Sequence, residues 1–141
     1  MQISAGKSYL DTEVMTATPQ KLQLMLIEAA IRAARRARKK WLDGRDDEAC
    51  EDLIHAQQIV SELLGGLDPE VNADLVKKVA SVYMFVFRSL MEANHDRSEK
   101  KLEDAIRVLE VERGTWQKVC AELGSHQASD RQEAGGLSLE V

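Results

Sequence analysis

The sequence predicts an all-α fold, an antiparallel up-and-down four-helix bundle with an extended or short-helical N-terminal segment and a flexible C-terminal tail. Three observations lead there. Hydrophobic residues make up 44% of the 141 residues but aromatics only 4%. The core must therefore be built from Leu, Ile, Val, Ala and Met, whereas sheets draw on aromatic and β-branched side chains. Two prolines and eight glycines are too few for the turns of a small all-β domain. Apolar residues also recur at three- and four-residue spacing along four stretches, each bounded by start and stop signals. The length suits one domain, and a charged share of 30% suits a globular chain.

Residues 1–17 mix Ser, Gly, Lys and Asp with a few anchors, among them Tyr9 and Val14, and read as a mobile segment. Thr18-Pro19 starts the first helix: the threonine hydroxyl can cap it, and proline at the first position forfeits no intrahelical bond. That helix is expected to reach about Trp41 and to carry two adjoining stripes. One is Leu22, Leu26, Ala29, Ala33 and Ala37; the other is Leu24, Ile27, Ile31 and Ala34. Two stripes imply partners on more than one side. Asp43-Gly44 ends it.

The second helix is expected to be capped by Asp46, with Ala49, Leu53, Ala56, Val60, Leu63 and Leu64 inward, Ile54 and Ile59 flanking, and Gly65-Gly66 as the stop. Asp68-Pro69-Glu70 is the next start signal. The third helix has Val71, Leu75, Val79, Val82, Val86 and Leu90 on one face and Val76, Tyr83, Phe87 and Met91 on an adjoining one, ending near Asn94-His95. Asp96 with Glu99 has the spacing of a capping box for the fourth helix. Leu102, Ile106, Leu109, Trp116, Val119 and Leu123 form its inner stripe, and Gly124 is expected to close it. The bundle then spans 18–124, and residues 125–141, rich in Ser, Gln, Glu and Gly, read as the flexible tail. Short connections make neighbouring helices antiparallel.

Catalytic or metal-binding sets are not apparent. Of the three histidines, only His55 has a carboxylate, Glu51, four residues away on the same helix. A di-iron bundle needs Glu-x-x-His pairs on two helices, and this chain has that spacing only once, at Glu92 and His95. Cys50 and Cys120 form no C-x-x-C, so a disulfide framework or zinc ribbon is not expected. Glycine-rich phosphate loops and G-x-S-x-G are absent from the sequence. No enzyme activity, metal or other cofactor is expected. Met1 to Glu13 contains no apolar core of a signal peptide and no run approaches bilayer length, so a cytoplasmic protein is expected.

The net charge of −5, from 24 acids and 19 bases, leans away from general nucleic-acid or anionic-membrane binding. Locally the balance reverses. Arg32, Arg35, Arg36, Arg38, Lys39 and Lys40 crowd the end of the first helix, where cations oppose the macrodipole. The acidic stretch Asp43, Asp46, Asp47, Glu48, Glu51 and Asp52 follows and can neutralise them across a hairpin. The first and third helices have wider apolar coverage than a small core requires. Such coverage fits either a broad core or a groove for an amphipathic partner helix.

Four stretches in order are similar to the bacterial flagellin export chaperones, the FliS family. Val14-Met15-Thr16-Ala17-Thr18-Pro19 with Leu22, Met25 and Leu26 resembles the family's entry to its first long helix, and Tyr9 matches its N-terminal tyrosine. Ala56-Gln57-Gln58-Ile59-Val60 and Glu62-Leu63 resemble its second helix. Val82-Tyr83, Phe85, Phe87, Arg88, Leu90 and Glu92-Ala93-Asn94 resemble its third, and Trp116 fits the fourth. The resemblance covers about residues 9–121. Phe85 and Phe87 stand where the family usually has tyrosines, which removes two hydroxyls from partner contact.

The resemblance implies a cytoplasmic chaperone that binds the C-terminal segment of flagellin, prevents its early polymerisation and delivers it to the flagellar type III export apparatus. The expected contacts are Tyr9 and Val14 as a displaceable lid, Leu22, Met25 and Leu26 on the first helix, Ile54 and Ile59 on the second, and Tyr83, Phe87 and Met91 on the third. A monomer or homodimer is expected, without nucleic acid or membrane insertion. Two other readings compete: a nucleic-acid-associated regulator using Arg32–Lys40, and a structural bundle that dimerises through its apolar faces.

Overall fold

Thr18 begins the first helix as its sequence suggests, its hydroxyl accepting a hydrogen bond from the Lys21 N–H at 3.1 Å, with Pro19 in the first turn. The computed structural model describes residues 17–139, with side chains as far as Gly124. Those residues form α1 (Pro19–Leu42), α2 (Asp46–Gly65), α3 (Ala73–Asp96) and α4 (Glu99–Leu139), with no strand among them. α1 and α3 each pack on both α2 and α4. Sequence neighbours are therefore spatial neighbours, and the ring closes between first and last helix, as the expected up-and-down bundle requires. The proposed mobile segment, residues 1–17, lies outside the described residues except for Ala17.

Several boundaries differ from the sequence reading. Asp46 does not cap α2: Arg45 occupies that position without a side-chain cap, and Asp46 turns its carboxylate to Arg97. Asp68-Pro69-Glu70 forms a turn, with Asp68 Oδ1 accepting from the Glu70 N–H at 2.9 Å, and α3 starts later, capped by Asn72. Ser98, not Asp96, caps α4, its Oγ accepting from Lys101 N–H at 3.3 Å. Asp96 instead meets His95 and Lys101, and those hydrogen bonds hold its carboxyl below the usual range.

The largest difference is at Gly124, where α4 does not close but runs on to Leu139, a helix of 41 residues and about 60 Å. A glycine stops a helix when it enters the left-handed region, and Gly124 does not. No proline follows Pro69 to break the run. Ala121, Glu122, Leu123 and Gly124 are all exposed, so α4 has already left the bundle surface there.

The two stripes of α1 explain its place in the ring. Leu24, Ile27, Ala30, Ile31, Ala33, Ala34, Ala37 and Trp41 are all buried. Ion pairs fix which flank meets which neighbour. Arg36 and Lys40 reach Asp52 of α2 at 3.5 and 2.7 Å, and Arg35 reaches Glu110 of α4 at 2.7 Å. The wide apolar coverage of α1 is thus largely core, shared between two partners. α2 contributes Ala49, Leu53, Ala56, Val60 and Leu63, α3 contributes Tyr83, Val86, Leu90 and Ala93, and α4 contributes Leu102, Ala105, Ile106 and Leu109.

Two helix ends use the same left-handed cap. Gly44 (φ 74°) ends α1, and the following Arg45 N–H reaches back to the Lys40 carbonyl at 2.8 Å. At the end of α3 the equivalent position is Arg97 (φ 48°), with the Ser98 N–H bonded to the Ala93 carbonyl at 3.1 Å. An arginine tolerates this backbone because its side chain is fully engaged. It pairs with Asp46 at 2.8 Å, donates to the Trp41 carbonyl at 3.2 Å, and lies 5.6 Å from the centre of the Trp41 ring. Arg97 thereby ties the α3–α4 turn to the α1–α2 end. Replacing Arg97 by Ala is expected to cost about 1–2 kcal/mol in urea unfolding, because contacts are lost and the left-handed strain stays. Arg97→Gly removes that strain and is expected to be the milder of the two.

Candidate functional site: an apolar seam between α2 and α3

α3 buries one face and exposes apolar residues on both flanks. Glu92 marks one flank, since Lys101 of α4 reaches it at 3.0 Å. Phe85, seven residues earlier and so nearly in line with Glu92, lies on that α4 side and is 47% exposed. Met84, Phe87 and Met91, at i, i+3 and i+7, form a row on the opposite flank, toward α2. Met84 and Met91 are 43% and 48% exposed, and Phe87 is half-buried against the core.

α2 also exposes an apolar residue. Its Asp52 is turned to α1, and Ile54, two positions on and about 200° around the helix, points away from α1 and is 45% exposed. The Asp46–Arg97 ion pair sets the antiparallel register and brings Ile54 level with the Phe87–Met91 stretch. Ile54 of α2 and Met84, Phe87 and Met91 of α3 thus place exposed or half-buried apolar side chains on two adjoining helices, a candidate apolar seam. Methionine suits such a surface, being unbranched and able to fit differently shaped partners.

The core beneath is tied together by hydrogen bonds. Tyr83 is fully buried, donates its hydroxyl to Gln23 Oε1 at 3.2 Å and accepts from Trp116 Nε1 at 3.2 Å. One phenol thus links α1, α3 and α4, and burial pushes its pKa up to about 12. At this end of the bundle Pro19, Gln23, Leu67, Val71, Val76 and Trp116 line a pocket of about 210 Å³. Gly66 allows the α2–α3 connection to pass close by, since a Cβ there would come within 3.1 Å of Gln23 Nε2.

The structure divides the expected contact residues. Ile54, Phe87 and Met91 lie exposed or half-buried on the adjoining helices α2 and α3. Ile59 and Tyr83 lie in the core. Leu22, Met25 and Leu26 are half-buried on α1, with α2 between them and the seam. Tyr9 and Val14 lie outside the described residues. Met84 belongs to the seam but was not expected there; its spacing from Phe87 and Met91 was the available signal. No cluster of His, Cys, Asp and Glu among the described residues could hold a metal, and no helix there is long and apolar enough to cross a membrane.

Glu112 on α4 is half-buried, and burial alone raises its pKa above the ordinary 4.5. A raised carboxyl pKa means that the folded state favours the protonated form. The associated stability is fully present below the ordinary pKa and is lost as pH rises through the raised value. Glu112→Gln is accordingly expected to raise the melting temperature slightly at pH 7, with the gain vanishing below about pH 4, as followed by circular dichroism.

Comparison with known proteins gives consistent relatives. A family model described as the flagellar protein FliS matches residues 1–123. The chain is 27% identical over 131 residues to a flagellar secretion chaperone FliS of Bacillus subtilis, covering 93% of this chain and 94% of that one. It is 24% identical over 124 residues to a protein of the same description from Vibrio cholerae, covering 88% and 91%.

Proposed function

The chain belongs to the FliS family, and from that premise we propose that it is a non-catalytic, cytoplasmic secretion chaperone whose client is the C-terminal segment of flagellin. The observation that carries this reading is the apolar seam of Ile54, Met84, Phe87 and Met91 on a protein whose relatives are described as flagellar secretion chaperones. A segment destined to pack in a filament carries an apolar stripe, and an unpaired stripe aggregates. A helix laid along the seam masks that stripe until the client is handed to the flagellar type III export apparatus. The client pays an ordering entropy when it folds on the chaperone, so binding stays moderate and release remains feasible.

Ile54, Phe87, Met91 and Met84 are the contacts in this proposal. Tyr83 and Ile59 shape the floor under them from within the core. Leu22, Met25 and Leu26 contact a further stretch of the client that crosses α2 to reach α1, and Tyr9 and Val14 serve as a lid that the client displaces. The chain acts as a monomer or homodimer, with no nucleic acid and no cofactor in the cycle.

Calorimetry with a flagellin C-terminal peptide tests this. Binding is expected at one-to-one stoichiometry with a negative heat-capacity change and little salt dependence. Met84→Glu with Met91→Glu is expected to weaken it at least tenfold, since each methionine otherwise buries apolar surface contributing about 1–2 kcal/mol. No binding by a folded chain, or full binding by the double variant, would contradict the assignment. Concentration-dependent self-association that the peptide does not suppress would favour the structural dimer instead.

A further inference from the structure

Flagellin binding at the seam leaves one strong feature unused, the basic run of α1. Arg32, Arg35, Arg36 and Lys39, at i, i+3, i+4 and i+7, line one shallow depression on the outside of α1, and all four are exposed. The stripe is about 10 Å long at the helical rise. Its neutralisation by nearby acids is incomplete. Arg35 meets Glu110 and Arg36 meets Asp52, but Arg32 and Lys39 have no carboxylate within 4 Å among the described residues. The following acids Asp43, Asp47 and Glu51 pair with none of the four.

The stripe is also bounded. Glu28 lies four residues before Arg32 and Asp43 four residues after Lys39. On a chain of net charge −5, these ends limit the length of anion that fits. A long polyphosphate or a flat anionic bilayer would extend over both carboxylates and be repelled there. A ligand with its charges confined to about two helical turns avoids them. Guanidinium forks at this spacing match carboxylates presented at the same spacing.

We propose that the Arg32–Lys39 face of α1 docks a short acidic segment of a protein partner, carrying two or three carboxylates within about two helical turns. This docking rests on charge and spacing alone. It is separate from the seam, because α2 lies between α1 and α3 in the ring, and it starts six residues beyond Leu26, the last client contact proposed on α1.

The test is fluorescence anisotropy at low salt with the full chain and four probes. These are a short alanine-based helical peptide with three glutamates at i, i+4 and i+7, its glutamine counterpart, a single-stranded oligonucleotide, and vesicles of phosphatidylserine and phosphatidylcholine. The glutamate peptide is expected to bind more tightly than the other three, and to weaken as salt is raised. Arg32→Gln with Lys39→Gln breaks no ion pair and is expected to weaken that binding about fivefold. Helix content and affinity for the flagellin peptide should stay unchanged, which separates this surface from the seam. The proposal is overturned if the glutamate peptide binds no better than its glutamine counterpart, if the double variant binds it as the original does, or if the oligonucleotide or vesicles bind more tightly.

Discussion

Alanine packing along α1 is the constraint on which the rest of the bundle depends. Ala30, Ala33, Ala34 and Ala37 are fully buried, as are Ala49 and Ala56 of the neighbouring α2. Small side chains let helix axes approach closely, so that one helix can be packed on two sides at once. Larger residues at those positions would push α2 or α4 away, because a close-packed core has no room to absorb added volume. The arrangement also decides where aromatics can go. Trp41 and Tyr83 are buried, while Phe85 and Phe87 are left at the flanks of α3. A core built from alanine and branched aliphatics thus leaves the bulkier apolar surface of α3 facing outward.

Polar contacts hold that geometry at both ends. Near the start of α1, the Tyr83 hydroxyl joins Gln23 and Trp116 across three helices, satisfying a polar group that burial would otherwise penalise. At the other end, Arg97 closes the α3–α4 turn onto Trp41 and Asp46. The seam lies between these two fixed points. Its exposed side chains include two unbranched methionines held between hydrogen-bonded ends, a combination suited to a client that becomes ordered only on binding.

The bundle was legible in the sequence because helical periodicity is repeated over many residues. Both stripes of α1, the Thr18-Pro19 start and the Gly44 stop were readable from local chemistry. The errors fall where one local signal had to compete with tertiary structure. Asp46 has the right chemistry for a cap but finds a better partner in Arg97, which is 51 residues away in sequence. Asp68-Pro69-Glu70 resembles a helix start and forms a turn instead. Gly124 looks like a stop, but its backbone stays helical. The seam was half legible for a similar reason. Ile54, Phe87 and Met91 could be selected as flanking apolar residues, yet Tyr83 has the same apolar character and points inward. Periodicity gives the angle around a helix, and only the positions of the neighbours say which angle is covered.

The central claim is that the exposed row between α2 and α3 receives the client, and methyl NMR tests it most directly. The chain has five methionines, two of them in the seam. With methionine methyl groups labelled, addition of a flagellin C-terminal segment is predicted to shift the Met84 and Met91 resonances together at a one-to-one ratio. Saturable binding that leaves both resonances in place would contradict the account.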